Sequence, residues 1–459
     1  MQATTNRSEG SSSIASAFAS LSSAKVDLPP RFIDLKRSII HSHEEAVLAG
    51  WTRLLQQRLT LDKLKKLESN VIPEVEFADI VGNKGRLPND IESRLRECGT
   101  IIVRGLVSTD QALNWKQQVR DYVKLNPQTE GFPAGNIQVY ELYWSKAQLE
   151  ARSHANMLLV QTALNRVWRA KPQDPVDLDI PVTYCDRLRM RTPGDQSFNL
   201  GPHLDGGSLE RWEDPEYRQC YSSILRGDWE KHDPFDATHR LKATVDMYKG
   251  PGGCSAFRSY QGWLSLSDCK PGSGTLRVMP DLTASTAYTL LRPFVKQDAN
   301  GINWTIDVDS PTFHGADMGK GQELTETDHS LLNPHGFVSI PPVRPGDAVF
   351  WHCDVAHMVE AEHCGKSDSS VFYIPALPLC EINSKYVKDQ RENFLRGIPP
   401  PDFPGGVGES EHTGRGKSED IQLAEGRRAM GLGKFEVQLQ KTMGQKNAIE
   451  TANKILGFA

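Results

Sequence analysis

The stretch Gly201-Pro202-His203-Leu204-Asp205-Gly206-Gly207 decides how we interpret the rest of the chain, because it places an imidazole and a carboxylate two residues apart. In a β-strand, residues i and i+2 point to the same face, so His203 and Asp205 should converge while Leu204 packs on the other side. The two glycines allow a sharp turn beside the pair. A histidine and an aspartate presented in this way supply two ligands of the 2-His-1-carboxylate face that binds non-haem Fe(II). A simple His–Asp hydrogen bond in a loop is the alternative that this stretch leaves open.

The composition is that of an ordinary globular protein and excludes several classes of partner. Of 459 residues, 38% are hydrophobic, and 53 basic residues face 58 acidic ones, which gives a net charge of −5. This balance gives no reason to expect binding to nucleic acid or to a membrane surface. The eight cysteines are scattered without a C-x-x-C pair, which disfavours a disulfide scaffold or a structural zinc site. We therefore expect free thiols in a reducing compartment, the cytoplasm.

Hydrophobic periodicity divides the chain into four parts. Residues 1–27 form a serine-rich tail that we predict to be disordered, and residues 28–176 show mainly helical spacing, which predicts a helical region packed on the core. In residues 177–380, short alternating runs are separated by Gly/Pro turns, which predicts a closed antiparallel β core, a double-stranded β-helix or jelly roll. A polar excursion from about residue 281 to 333 is expected to cover one end of the sheet. Residues 381–459 are predicted to be a helical and irregular C-terminal extension.

A jelly-roll core with an iron site needs a second histidine at or just past a later strand. Pro345-Gly346-Asp347 is a tight turn, and Ala348-Val349-Phe350-Trp351 reads as the strand that follows it. His352, His357 and His363 come next. On spacing alone, each of the three remains a candidate.

Four motifs occur in order along the chain. They are His203-x-Asp205, Gln261-Gly262-Trp263-Leu264-Ser265-Leu266, Gly274-Thr275-Leu276-x-x-x-Pro280 and Pro345-Gly346-Asp347-x-x-x-Trp351-x-x-x-x-x-His357. Together they resemble the Fe(II)/2-oxoglutarate dioxygenases, most closely the phytanoyl-CoA-hydroxylase-like type, and within it a domain-of-unknown-function group found in bacteria and fungi. The resemblance implies that His203, Asp205 and His357 are the metal ligands and catalytic residues, with Fe(II), 2-oxoglutarate and O₂ as cofactor and co-substrates. His352 would then pack beside Trp351 or support a ligand.

The cation that would hold the far carboxylate of 2-oxoglutarate is less obvious. Many relatives place an arginine a little downstream of the distal histidine, but residues 366–370 contain none. The candidates for this cation are therefore Arg189, Arg191, Arg258 and Arg277. Arg191 matches the basic residue that the phytanoyl-CoA-hydroxylase-like enzymes carry before their Pro-Gly turn. It shares a predicted strand face with Arg187 and Arg189, where like charges repel unless an anion lies among them.

Two alternatives stand beside this role for the arginines: a solvated outer face, or pairing with nearby acids. Further candidate contacts of the keto acid are Trp263 and Ser369, although a tryptophan in a strand is often plain core.

The predicted function is oxidation of a small-molecule substrate by Fe(II), O₂ and 2-oxoglutarate, with release of succinate and CO₂. Hydroxylation is the default outcome. Ring closure or desaturation of an amino-acid-like substrate in fungal secondary metabolism is a further expectation from the resemblance. One alternative is a cupin-like metal enzyme that does not use 2-oxoglutarate, which the missing downstream arginine favours. Another is a non-catalytic small-molecule-binding protein, which the triad disfavours. The sequence leaves the oligomeric state open.

Overall fold

The computed structural model of the chain describes residues 27–56, 66, 68–198, 200–250, 253–330, 332 and 336–458. The predicted disordered tail, apart from residue 27, lies outside the described residues. Within these ranges, no helix combines the length and the apolar character that a membrane span requires. All eight cysteines are free thiols.

Helices and strands are numbered here in chain order. The helices are α1 (Arg31–Ile40), α2 (Glu44–Gln56), α3 (Phe77–Gly82), α4 (Asn89–Cys98), α5 (Thr109–Leu125), α6 (Lys146–Ser153), α7 (Ala155–Asn165), α8 (Glu210–Glu213), α9 (Pro215–Gln219), α10 (Ser222–Leu225), α11 (Leu282–Leu291), α12 (Glu381–Arg396), α13 (Ala424–Ala429) and α14 (Met443–Leu456). The strands are β1 (Glu74–Glu76), β2 (Thr100–Arg104), β3 (Gly131–Phe132), β4 (Val139–Tyr140), β5 (Val176–Val182), β6 (Leu188–Arg191), β7 (His203–Leu204), β8 (Tyr260–Ser265), β9 (Leu276–Val278), β10 (Val295–Gln297), β11 (Trp304–Ile306), β12 (Gln322–Glu323), β13 (Val338–Ser339), β14 (Ala348–His352), β15 (His357–Val359), β16 (Ser369–Tyr373) and β17 (Leu377–Cys380).

Two sheets make up most of the β structure. The larger has the strand order β1-β2-β14-β8-β16-β6-β4-β3, and the smaller has the order β12-β7-β15-β9-β13. Their ladders are antiparallel, except that β1 and β2 pair in parallel. Neighbouring strands come from distant parts of the chain, so pairing in the smaller sheet brings β7 and β15 side by side. The chain therefore has a mixed core of antiparallel sheets and helices.

Apolar side chains from both sheets meet in one buried cluster. Leu264 and Phe350 enter it from the larger sheet, and Leu276 and Val278 enter it from the smaller one. Full burial of each such side chain stabilises the fold by about 1.5–3 kcal/mol. The two sheets are thereby fixed relative to each other, and this arrangement gives the strands that carry the site a rigid support.

The region predicted to be mainly helical also supplies strands β1 to β4 to the larger sheet. The β-branched run at Thr100 forms β2 and pairs with β14, as its sequence predicts. Within this region of helical spacing, residues 146–165 form two helices, α6 and α7, instead of one. They meet at His154, whose extended backbone (φ −63°, ψ 134°) ends the first helix and whose ring caps the second.

Candidate metal centre

The histidines of the predicted triad are cross-strand neighbours. His203 in β7 lies directly opposite His357 in β15, and their ring centroids are 4.2 Å apart. Asp205 follows β7 at position i+2, while Leu204 packs into an apolar cluster on the other side. One carboxylate oxygen of Asp205 lies 3.7 Å from His203 Nε2, and the other lies 3.7 Å from His357 Nε2. The structure thus brings the distant His357 beside the His203-x-Asp205 pair.

The hydrogen bonds of the two imidazoles fix which ring nitrogen is available to a metal. His203 Nδ1 lies 2.7 Å from the carbonyl oxygen of Gly201, and His357 Nδ1 lies 3.0 Å from that of Val355. A carbonyl only accepts, so each Nδ1 carries the proton and donates it. In the neutral ring, Nε2 then keeps its lone pair and faces Asp205 at a distance too long for a hydrogen bond. The triad presents three unused donor atoms to one point.

The surroundings of the triad favour the protonation states that bind a metal. Burial, together with the neighbouring His203, lowers the pKa of His357 to about 4, so this ring is neutral near pH 7. Burial alone would raise the pKa of Asp205, but electrostatic interactions with the imidazoles of His203 and His357 and with the guanidinium groups of Arg258 and Arg211 oppose it and leave that pKa lowered. A neutral imidazole and an ionised carboxylate are the forms that bind a divalent cation.

The loop that carries Asp205 is held by its backbone. Gly206 and Gly207 have φ values of +73° and +90°, which residues other than glycine rarely adopt. Arg211 donates to the carbonyl oxygens of Asp205 (2.6 Å) and Gly207 (2.5 Å), and the Tyr217 hydroxyl donates to that of Gly206 (2.8 Å). These three bonds orient the turn, and neither Arg211 nor Tyr217 belongs to a motif that would predict this role. The signal was the position of Arg211, six residues after the aspartate.

His352 is placed away from the triad. Its Nε2 lies 3.0 Å from the carbonyl oxygen of Pro234, its Nδ1 accepts the backbone N–H of Asp354 at 3.1 Å, and its ring stacks on Trp168 at 4.8 Å. Burial lowers the pKa of His352 to about 3. Both ring nitrogens are occupied, so His352 packs in the core, on Trp168 rather than on Trp351.

A deep cavity opens from the triad between the two sheets. Strand alternation turns Gln261 and Trp263 of β8 toward it, whereas Leu264 points into the apolar core. The further cavity-lining side chains that matter for the chemistry are Tyr184, Asp186, Arg187, Arg189, Phe198, Leu200, Arg258 and Tyr373. The cavity is therefore walled by aromatic groups and carries a cluster of cations close to the triad.

Arg189 reaches this cavity from β6. Its Nη2 lies 3.3 Å from Ser369 Oγ, its guanidinium lies over the ring of Phe198, and its side chain is almost fully buried. Its Nε–H has no hydrogen-bond partner among the described residues. Ser369 itself lies behind this guanidinium and is absent from the cavity wall.

Arg191 does not reach the cavity. Its guanidinium bonds to the Asp195 carboxylate (2.8 Å) and to the carbonyl oxygens of Asp195, Gly274, Glu360 and Ala361 (3.0, 3.4, 2.8 and 2.9 Å). All five donor hydrogens therefore have partners, and none is left for a ligand. Arg191 clamps three loops together, which realises the pairing alternative considered for the arginine face.

Arg277 is also placed outside the cavity. It alternates with Leu276 and Val278, which face the core, and its Nη2 donates to the carbonyl oxygen of Phe337 at 2.7 Å. Arg258 does line the cavity, with its guanidinium 5.2 Å from the centre of the Tyr184 ring. Of the four arginines singled out in the sequence, the structure brings Arg189 and Arg258 to the cavity.

Comparison with known proteins places the chain in a family. The family model described as Gig2-like matches residues 26–432. The Uncharacterized protein YbiU of Escherichia coli (strain K12) is 33% identical over 385 residues, which cover 81% of this chain and 88% of that protein. The crystal structure of GlcNAc Inducible Gene 2, GIG2 (DUF1479), from Candida albicans is 34% identical with a TM-score of 0.87, over 95% of this chain and 96% of that one. Hypothetical Protein JW0805 from Escherichia coli is 31% identical with a TM-score of 0.76, over 89% and 99%. The chain belongs to the Gig2-like family.

Proposed function

We propose that this protein is an Fe(II)- and 2-oxoglutarate-dependent oxygenase of a small molecule, built on a double-stranded β-helix core. The observation that carries the proposal is the triad, in which His203, Asp205 and His357 turn three unused donor atoms toward one cavity. Two antiparallel sheets that pack face to face around this cavity support the β-helix interpretation.

The donor set fits Fe(II). Two neutral imidazoles and one carboxylate form the facial set that leaves coordination positions open for a chelating keto acid and for O₂. When bound, the Fe(II) ion would couple two oxidations by O₂: that of a substrate C–H bond to a hydroxyl group, and that of 2-oxoglutarate to succinate and CO₂. The chain itself orients the ligands through the carbonyl oxygens of Gly201 and Val355.

Arg189 is our proposed anchor for the far carboxylate of 2-oxoglutarate. Many of the Fe(II)/2-oxoglutarate dioxygenases that the sequence resembles place an arginine downstream of the distal histidine, and here that region is β16, which begins at Ser369. Strand β6 pairs with β16, with Arg189 opposite Val371, so the Arg189 guanidinium reaches Ser369 from the neighbouring strand. An unpartnered buried donor costs about 1–3 kcal/mol, and a carboxylate bound there would remove that cost. This position weakens the case for a cupin-like enzyme, which rested on the missing arginine.

Aromatic walls complete the proposed keto-acid site. Trp263 and Phe198 line the cavity, and the ring of Phe198 lies under the guanidinium of Arg189. A guanidinium in such surroundings binds a carboxylate more tightly than one in open solvent.

The proposal is tested by following 2-oxoglutarate in the presence of air. Purified protein with Fe(II), ascorbate and 2-oxoglutarate should form succinate slowly without substrate and faster when a substrate is added. Asp205→Ala is the matched control and should form none. If the wild-type protein consumes no 2-oxoglutarate under these conditions, the proposed function is wrong.

A further inference from the structure

The cavity holds a second unpaired cation besides Arg189. We propose that Arg258 and Gln261 bind a carboxylate of the substrate, so that the enzyme oxidises a small carboxylic acid. This inference rests on the proposed function, in which Arg189 is engaged by 2-oxoglutarate. It assigns the guanidinium of Arg258 to the molecule that is oxidised.

Arg258 is available to a ligand. Its side chain makes no hydrogen bond or ion pair with any described residue, and its one ring contact is with Tyr184. It lines the main cavity and also a small side chamber, and Asp205 borders both spaces. The guanidinium of Arg258 and the carboxylate of the triad therefore border the same two spaces.

Gln261 is an independent pointer to a ligand at the same place. Its side chain is only 7% exposed, yet its Nε2 has no hydrogen-bond partner among the described residues. Like Arg258, it lines both the cavity and the side chamber. A buried amide donor without a partner is costly, and structures normally satisfy it. The sequence contained this residue in the Gln261-Gly262-Trp263 motif, but only the strand's alternation shows that its amide faces the cavity.

The charge around the two donors favours a carboxylate over a phosphate. The planar N–H fork of a guanidinium matches the oxygens of a carboxylate and of a phosphate alike, so the charge of the surroundings decides between them. Asp186 and Asp205 already lie close enough to interact with the Arg258 charge. Because these two carboxylates repel a dianion more strongly than a monoanion, the cavity favours a carboxylate over a phosphate monoester.

The test uses the full-length protein loaded anaerobically with Fe(II) and 2-oxoglutarate, and it follows the visible band of the chelate while probes are added. The probes are the protein amino acids, small hydroxy acids, the corresponding carboxamides and phosphate monoesters. We expect at least one acid to shift the band saturably and its amide to fail. Arg258→Met should lower the affinity for that acid by ~10-fold or more, which is the usual effect of losing a charge-assisted contact. The 2-oxoglutarate titration should not change.

Two further variants make the result decisive. Arg277→Met removes a guanidinium outside the cavity and should respond to the acid as the wild type does. Arg258→Lys keeps the charge without the planar guanidinium. Its affinity for the acid should lie between those of the wild type and of Arg258→Met. It replaces Arg258→Met in the test if that variant does not fold.

The outcomes separate the inference from the function on which it rests. A chelate band that no acid shifts, an equal response to acid and amide, a stronger response to a phosphate monoester, or acid binding untouched in the Arg258 variants would overturn the inference alone. If the wild-type protein forms no chelate band, the proposed function fails and takes this inference with it.

Discussion

Two groups of histidine and acid side chains have members at the connection between β14 and β15. They differ in whether their ring nitrogens and carboxylate oxygens already have hydrogen-bond partners. In the first group, His203 and His357 each spend one ring nitrogen on a carbonyl and leave the other facing Asp205. In the second, both ring nitrogens of His352 are hydrogen-bonded to the backbone, and the carboxylate of Asp354 is bound by other side chains in the core. Residue type and proximity do not distinguish the two groups. They differ in whether nitrogen and oxygen lone pairs remain free to bind a metal ion in the cavity.

The partners of Asp354 make the second group structural. Arg240 forms a buried ion pair with its carboxylate, and the Tyr221 hydroxyl donates to it at 2.9 Å. Burial alone would raise the pKa of Asp354, but Arg240 outweighs this and lowers it. The neighbouring arginines of β6 repeat the contrast, because every N–H donor of Arg191 has a partner, whereas the buried Nε–H of Arg189 has none among the described residues.

The largest effect should follow from removing a ligand of the first group. Alanine at position 203, 205 or 357 removes one of three donor atoms, so iron affinity should fall by at least ~100-fold, the upper end of what losing an outer-sphere partner costs. Metal analysis after dialysis measures it. His352→Gln is the matched control in the second group and should keep its iron. Iron lost from His352→Gln and kept by His357→Ala would reverse the assignment of the distal ligand.

The second group should respond in stability rather than in metal content. Asp354→Asn leaves the buried Arg240 charge without its counterion, which costs about 3–5 kcal/mol. We expect a clearly lower unfolding temperature, measured by circular dichroism, and a normal iron content. A variant that unfolds like the wild type but binds no iron would mean that Asp354 belongs to the metal site.

Another carboxylate, that of the buried Glu409, sharpens the comparison because its hydrogen-bond donors are neutral. It accepts from the backbone N–H groups of Tyr143 (2.6 Å) and Trp144 (2.8 Å) and from the Tyr122 hydroxyl (2.9 Å). Burial raises its pKa to about 7. A carboxyl whose folded pKa is raised contributes stability below its ordinary pKa and loses it as the pH rises through the folded value.

Stability of the wild-type protein should therefore fall by up to ~3 kcal/mol between about pH 4.5 and pH 7 from this group alone. Glu409→Gln, which cannot ionise and can still accept the two N–H bonds, should lose that part of the pH dependence. Denaturant unfolding of both proteins across this range measures the difference. Identical pH profiles would show that Glu409 does not titrate there.

The smallest of these effects separates the two arginines. Arg189→Gln should raise the apparent 2-oxoglutarate requirement by ~10-fold or more, because a charge-assisted contact is worth about 1.5–3 kcal/mol. Arg191→Gln should lower stability and leave that requirement unchanged, since Arg191 holds loops together and does not reach the cavity. Steady-state titration of 2-oxoglutarate checks both variants. The reverse result would return the anchoring role to Arg191.

The sequence predicted those parts of the fold and site that depend on local pattern. The His203-x-Asp205 spacing, the strand after Pro345-Gly346-Asp347 and the β-branched run at Thr100 each have a period or a turn that is readable in isolation. Helix α11, in contrast, lies inside the excursion that was expected to be polar cover. Almost all of its residues are buried, so it shows no amphipathic period to detect.

The roles of the arginines could not be read from the chain in the same way. Arg189 and Arg191 share a strand face, and only the tertiary positions of Asp195 and of the carbonyls near residues 274 and 360 decide which guanidinium is spent. The same holds for Gln261, whose missing partner is a property of the packed cavity. Local sequence indicates which chemistry is possible, and packing decides which atoms remain free to perform it.

The central claim is that the triad and the cavity hold Fe(II) with chelated 2-oxoglutarate, and an anaerobic titration tests it most directly. Addition of 2-oxoglutarate to the Fe(II)-loaded wild-type protein should produce the weak visible charge-transfer band of the chelate, saturating at one equivalent per chain. His352→Gln should show the same band, and His357→Ala should show none. Iron bound at the triad without any band on addition of 2-oxoglutarate would contradict the account.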